Sequence, residues 1–224
     1  MNDIEKYLRP SLTIDSDNES IRQKSVDLTA DKETTEDKAK SLFYWVRDDI
    51  KYDPLVPLEV FEDYRASKTL KRGEGFCVEK AAVLAALARA VGIPARLHFA
   101  DIRNYLVSER LREVMGTNLF SYHGYTELYI GGKWIKATPA FDLKMCQANR
   151  IIPVDFDGKN DAIFHSHNLD DKLHIEYVAD HGCRVDVPVD EIIAAWNKHY
   201  GIAAQERLNR FIETEKSKNH RQQN

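Results

Sequence analysis

The stretch GEGFCVEKAAVLAALARAVGIPARL, residues 73–97, decides how the chain is read. Its middle is alanine-rich and strongly helix-favouring. Val83, Leu84, Leu87 and Val91 are apolar and small alanines fill most other positions, so the predicted helix is buried within a domain. Gly92 stops it and Pro94 follows two residues later, a C-terminal signature. Gly73 and Gly75 give a flexible entry, and the helix begins at or just before Cys77. The start of a helix carries partial positive charge and unpaired N–H groups. A thiol there is expected to ionise below the free value of about 8.5. The same N–H groups can hold the oxyanion of a tetrahedral intermediate. A free cysteine is most often a small buried hydrophobe. The Gly-x-Gly-x-Cys entry ahead of a long apolar helix favours the nucleophile. Cys146 and Cys183 lack that context and read as structural, and no pair of cysteines has metal-ligand spacing.

Upstream, Ala39, Leu42, Phe43, Val46 and Ile50 make one apolar helical stripe, with Asp31 or Thr34 as its cap and Asp53-Pro54 as its end. Residues 54–72 read as an irregular connection holding Phe61 and Tyr64. Downstream, 95–100 reads as a short strand and 101–121 as a polar loop with a helical turn near 109–114. YHGYTELYIGGKWIKATP, residues 122–139, reads as a hairpin turning at Gly131-Gly132. With that turn the paired numbers sum to 263. His123, Tyr125, Glu127 and Tyr129 then share a face with Trp134, Lys136 and Thr138, and Asp142 as well if the extended chain continues. Residues 139–172 read as loops, 173–179 and 184–187 as two strands, and a last helix runs from Val189 to about Phe211. The expected organisation is an N-terminal extension packed loosely over 1–30, one domain over 31–214 and a charged tail over 215–224. Helix, buried helix, strands and helix in that order predict an α+β domain, with one central helix on an antiparallel sheet.

An imidazole on a strand can serve as base if a neighbour fixes its tautomer. For His123 the neighbours on offer are Thr138, diagonally across the hairpin, and Asp142 at its end. Tyr64, ahead of the nucleophile, is a candidate side-chain oxyanion donor. Trp134 is a candidate wall of the cleft, and His98 a core histidine able to line it. His165, His167, His174 and His181 are close in sequence, but no carboxylate or cysteine completes a regular metal set, and a polar loop accounts for them.

These motifs together resemble the transglutaminase-like superfamily, over roughly residues 35–145. The nucleophile motif is similar to residues 73–97, HGYTELYIGGKW (123–134) to the histidine motif, and FYWVRDDIKYDP (43–54) to the helix before the core. The resemblance implies a papain-like cysteine proteinase/transglutaminase core with a Cys-His-Asp triad, in which Cys77 and His123 match residue by residue. The third position does not: where the family has its Asp, after the Trp strand and before Pro, this chain has Thr138 and Pro139, with Asp142 four residues on. Asp142 is the expected third member, because a carboxylate stabilises imidazolium better than a hydroxyl.

The resemblance implies thiol-dependent acyl transfer on an amide or peptide, with hydrolysis ahead of amine transfer, since a dry amine channel is needed to exclude water. A module that keeps the fold for binding peptides without turnover is the alternative, favoured by the displaced acid. No metal or organic cofactor is implied.

Bulk properties fit. The 224 residues suit one compact domain. Hydrophobic residues at 43% and charged at 30% are ordinary for a globular protein. With 32 basic against 36 acidic residues the net charge is −4, which leaves no basic excess for nucleic acid. No apolar run approaches the roughly 18 residues of a membrane span. The first residues do not read as a secretory signal. Three widely spaced cysteines suggest free thiols in a reducing cytoplasm. The oligomeric state is not set by the sequence.

Overall fold

A computed structural model describes residues 4–54, 56 and 61–201. Its order is α1 (Glu19–Thr29), α2 (Thr35–Asp49), β1 (Lys51–Tyr52), α3 (Ala66–Arg72), β2 (Glu74–Gly75), α4 (Cys77–Ala90), β3 (Ala95–Asn104), α5 (Glu109–Met115), β4 (Leu119–Ile130), β5 (Lys133–Ala137), α6 (Leu143–Ala148), β6 (Ile175–Arg184) and α7 (Val189–Tyr200). Four strands form one sheet in the order β5-β4-β3-β6, with every neighbouring pair antiparallel. The fold is α+β, with the papain-like arrangement of a central helix against an antiparallel sheet.

That central helix is α4. Every residue from Val78 to Arg89 is buried. Alanines at 81, 82, 85, 86 and 88 keep its surface narrow, so α1, α2 and α3 approach on one side and β3 and β4 on the other. Thr126 Oγ1 donates to Ala81 O at 2.9 Å and stitches β4 to the helix. Lys80 is wholly buried yet satisfied: its Nζ donates to Arg47 O at 2.9 Å and Ile50 O at 2.5 Å, the carbonyls at the end of α2. Burial pulls this ammonium down to about 7. Arg89 does the same at the other end, holding Ala95 O, Arg9 O and Val185 O.

Several expectations change. Residues 14–29 are not part of a loose extension. Ile14 and Ile21 are fully buried in the common core, and α1 is capped by Asn18, whose side chain accepts from Ser20 N. Its alternation of single apolar positions with charges hid a helix that buries one narrow edge. Residues 66–72 form α3 rather than a loop, ending on Gly73 in the left-handed region at φ 76°. The short helix α6 likewise interrupts the predicted loop at 139–172. Of the two predicted C-terminal strands the first is longer, β6 running on through a bulge against β3 to Arg184, and residues 185–187 of the second lie outside any strand. Thr34 caps α2, its hydroxyl accepting from Asp37 N at 3.1 Å. The hairpin has the predicted register, from Ile130↔Lys133 to Thr126↔Ala137. The continuation of the last helix to Phe211 and the tail at 215–224 lie outside the described residues. Among those residues no helix is long and apolar enough to cross a membrane.

Candidate active site

Cys77 is the first residue of α4. The parallel pairing Tyr52↔Gly75 brings the end of α2 beside the entry to this helix. The cap residue is Phe76, whose side chain accepts no hydrogen bond. A Ser or Asp there would take up the first-turn N–H groups; Phe76 leaves those of Cys77 and Val78 free to face the sulfur. Glu79 steadies the turn from behind, accepting Phe76 N at 3.2 Å and pairing with Arg72. Burial still pushes this carboxyl up to about 7, against the pull of Arg72.

Strand β4 passes directly over this first turn. A Cβ on Gly124 would come within 3.1 Å of Val78 Cα, tighter than side chains ordinarily pack, so a larger residue would have to displace the helix by a few tenths of an ångström. The Gly124 N–H faces the Cys77 sulfur. By the hairpin register the partner of Gly124 would be Pro139, and β5 ends before it, at Ala137. On its other edge Gly124 is paired with Phe99 of β3.

The thiol does not have the expected lowered pKa. Cys77 keeps some exposed surface, but burial of the sulfur pushes the thiol up to about 11, against the pull of the three N–H groups of Gly124, Val78 and Cys77. The helix-end effect is present, and desolvation outweighs it.

His123, the neighbour of Gly124, lies on the sheet face away from α4. It is 2% exposed and stacks on Phe164 at 4.9 Å, with Tyr125 at 6.1 Å and Tyr177 edge-on at 6.3 Å. Its Nε2 has no hydrogen-bond partner among the described residues, and burial pushes the ring down to about 3, so it rests neutral. Tyr177 links the two halves of the site: it touches the His123 ring and lies within electrostatic reach of Cys77. Among the described residues no hydrogen bond joins the sulfur to the imidazole. Both groups rest neutral.

The backbone ahead of His123 is fixed by Asp101. Its Oδ1 accepts Ser121 Oγ at 2.8 Å, Tyr122 N at 3.0 Å and His181 Nε2 at 2.7 Å. This holds Tyr122 in the left-handed region, at φ 58°, beside a bulge between β3 and β4.

The expected third member requires correction. Asp142 caps α6, its Oδ1 accepting Met145 N at 2.8 Å, and its Oδ2 accepts Tyr52 N at 3.0 Å. Both oxygens are committed to backbone, and no ion pair joins them to His123 among the described residues. Proline at 139 ends the strand, and the chain turns into α6 before Asp142 can reach back. Thr138 instead stands one residue past the end of β5, diagonal to His123 by the hairpin register. Its Oγ1 is buried without a partner among the described residues, as are the Tyr177 hydroxyl and His123 Nε2. Thr138 nonetheless lies close enough to Tyr177 to favour the phenolate, a pull that burial of that phenol outweighs.

Other candidates move too. Tyr64 is buried beside Glu79 and its phenol is raised chiefly by burial. The phenols within electrostatic reach of the sulfur are Tyr52, Tyr177 and Tyr200. The signal for Tyr52 was its place in the KYDP run at the end of the second helix, but pairing with Gly75 is a long-range fact. Trp134 does not wall the cleft; it packs on Tyr7 at 5.0 Å under the Arg96 guanidinium. His174 is buried near Phe141, and His181 stacks on Tyr122. A groove of about 620 Å³ runs outside the site, lined in part by Phe164 and Tyr177, the residues that cover His123.

A helix-start cysteine, a strand histidine and a central buried helix against an antiparallel sheet define a papain-like thiol-enzyme core. Residues 22–139, just over half of the chain, match the model of the transglutaminase-like superfamily, and the chain belongs to that superfamily. Among solved structures, a "putative cysteine protease" from Cytophaga hutchinsonii aligns over 82% of this chain and 55% of its own length, at 19% identity and a TM-score of 0.50. The chain thus spans little more than half of that relative. A "putative protease" from Parabacteroides distasonis aligns over 60% of this chain and 25% of its own, at 15% identity and a TM-score of 0.38. A structure named as a TGase aligns over 54% and 29%, at 17% identity and a TM-score of 0.35. No curated protein sequence matches the chain. The similarity to the Cytophaga protein is one of fold.

Proposed function

We propose that the protein carries out thiol-dependent acyl transfer on peptide or protein amides, with water as the acceptor. The observation that carries this reading is the sulfur of Cys77 facing the N–H groups of Gly124, Val78 and Cys77, one strand residue from His123. Those N–H groups supply what a developing oxyanion needs. Because both partners rest neutral, the proton moves when substrate arrives. His123 accepts the Cys77 proton as the sulfur attacks the carbonyl, the N–H groups take the oxyanion, and His123 returns the proton to the leaving amine. Water then resolves the thioester through the same base. Thr138, where the family has its carboxylate, gives the imidazolium no counter-charge, which sets a slower enzyme than one with a carboxylate there. The groove over Phe164 and Tyr177 is the path along which an extended peptide lies.

The test is digestion of a mixed peptide pool by the full chain and by Cys77→Ala, with and without an added primary amine. New peptide termini that depend on Cys77 support hydrolysis. Amine incorporation in their place reassigns the acceptor. A second reading, a peptide-binding module without turnover, draws on Thr138 in place of a carboxylate and on the unpartnered His123 Nε2. Peptides retained uncut by the full chain and by Cys77→Ala alike would establish it.

A further inference from the structure

The outer face of the sheet carries a second cluster that the acyl-transfer site does not use. His98 on β3, Glu127 on β4 and Cys183 on β6 come together from three adjacent strands. Cys183 is paired directly with His98, and Glu127 stands two residues along β4 from Tyr125, the His98 partner. The His98 Nδ1 lies 2.9 Å from Glu127 Oε1 and 3.3 Å from Cys183 Sγ, and that sulfur lies 3.4 Å from Glu127 Oε2. One nitrogen, one sulfur and one carboxylate oxygen thus lie within 4.8 Å of one another.

We propose that His98, Glu127 and Cys183 form a binding site for a zinc-class divalent cation. With Zn–S near 2.3 Å and Zn–N or Zn–O near 2.0–2.1 Å, the edges of a tetrahedral site are roughly 3.3–3.6 Å. The nitrogen–sulfur distance fits that range, the edge from Nδ1 to Glu127 Oε1 needs to open by a few tenths of an ångström, and the sulfur lies 3.4 Å from the other carboxylate oxygen, Oε2. A thiol beside an imidazole selects a thiophilic ion over magnesium or calcium, which take oxygen ligands.

The surrounding groups are those such a site requires. His98 Nε2 is 2.8 Å from Asp180 Oδ1, which places the ring proton on Nε2 and presents Nδ1 to the ion. Asp180 is itself fixed by Gly182 N at 2.6 Å. Arg96 Nε donates to Glu127 Oε2 at 2.5 Å and orients that carboxylate. Tyr125 stacks on the His98 ring at 4.9 Å and 11° between planes. Arg96 opposes a cation, but the sum over the thiolate, the Glu127 and Asp180 carboxylates, the guanidinium and a dication is zero. His98 and Glu127 are buried, while Cys183 keeps some exposure, so a fourth position is open to water. Entry of the ion sends the Cys183 thiol proton, and any proton shared between His98 Nδ1 and Glu127, to solvent. The ion then ties β6 to β3 and β4. Spacing in the sequence carries no trace of this set, because its members lie on three separate strands.

The probe is cobalt(II), titrated into the chelator-treated full chain and followed by absorption, then displaced with zinc. The expected result is one equivalent bound with a thiolate-to-cobalt charge-transfer band, kept in Cys77→Ala, lost in Cys183→Ser, and weakened about 10- to 100-fold in Asp180→Asn. A second readout in the wild type covers a Cys183→Ser protein that fails to fold: zinc should slow alkylation of Cys183, mapped by mass spectrometry. Absence of the band, a band that survives Cys183→Ser or disappears in Cys77→Ala, or a Cys183 alkylation rate indifferent to zinc overturns the proposal.

Discussion

Gly124 on β4 and Val78 on α4 stand so close that a Cβ at Gly124 would lie 3.1 Å from Val78 Cα and 3.2 Å from Val78 Cγ2. That approach brings the strand that carries His123 against the helix that begins at Cys77. Because the near atoms include backbone of a buried helix, they cannot swing aside. Gly124→Val is expected to cost about 1–3 kcal/mol by overpacking and to push β4 off the helix. Denaturant melts and turnover check it together: activity should fall further than the loss of folded protein explains.

The placement of Asp142 separates stability from chemistry. As a cap holding Met145 N and Tyr52 N, it should cost about 1–2 kcal/mol when replaced by Ala. The pH dependence of Cys77 alkylation should not change. Thr138→Asp acts the other way. A carboxylate diagonal to His123 should favour imidazolium and shift Cys77 alkylation to lower pH. Equal profiles for wild type and Thr138→Asp would show that position 138 does not face the imidazole.

The fold and the site differ in how openly the chain declared them. Alanine packing in 81–88, the Gly92/Pro94 stop and the Gly131-Gly132 turn are local signals, and the central helix, the hairpin and its register follow from them. The placement of Cys77 at a helix start and of His123 on a strand was legible because each sits in such an element. Their protonation was not: the helix end pulls the thiol down locally, while burial in the folded domain pushes it up. The role of Asp142 was misread because alternation extended past Pro139 ignores the turn that proline makes. The buried start of the chain stayed hidden because one narrow helix edge, with Ile21 and Ser25 inward, gives too few apolar positions to stand out.

Buried neutral histidines make the protein acid-sensitive. Burial holds His123 at about 3 and His174 at about 4, against 6.5 when unfolded. Between those values the unfolded chain binds more protons, so stability falls as pH drops below about 6.5, with a slope approaching about 1.4 kcal/mol per pH unit for each ring. Glu79 works in the opposite sense between 4.5 and about 7. His174→Phe isolates one ring, since both nitrogens of His174 are buried without partners among the described residues. The variant's stability advantage over wild type, from urea melts, should grow as pH falls from 6.5 to about 4 and stay flat above 7.

Tyr52 lies beside Gly75 and within electrostatic reach of the sulfur. As a phenol donor to the oxyanion it should matter to chemistry more than to binding. Tyr52→Phe is expected to lower kcat about 10-fold or more with KM little changed. An equal rise in KM at constant kcat would assign Tyr52 to substrate binding.

The most direct measurement is the capture of the acyl-enzyme. The full chain is mixed with an activated acyl ester, quenched in acid and mapped by mass spectrometry. A hydroxylamine-labile adduct on Cys77, absent from Cys77→Ser and formed at least about 100-fold more slowly by His123→Ala, is the predicted result. An adduct on Cys183 instead, or one on Cys77 that forms as fast without His123, would contradict the account.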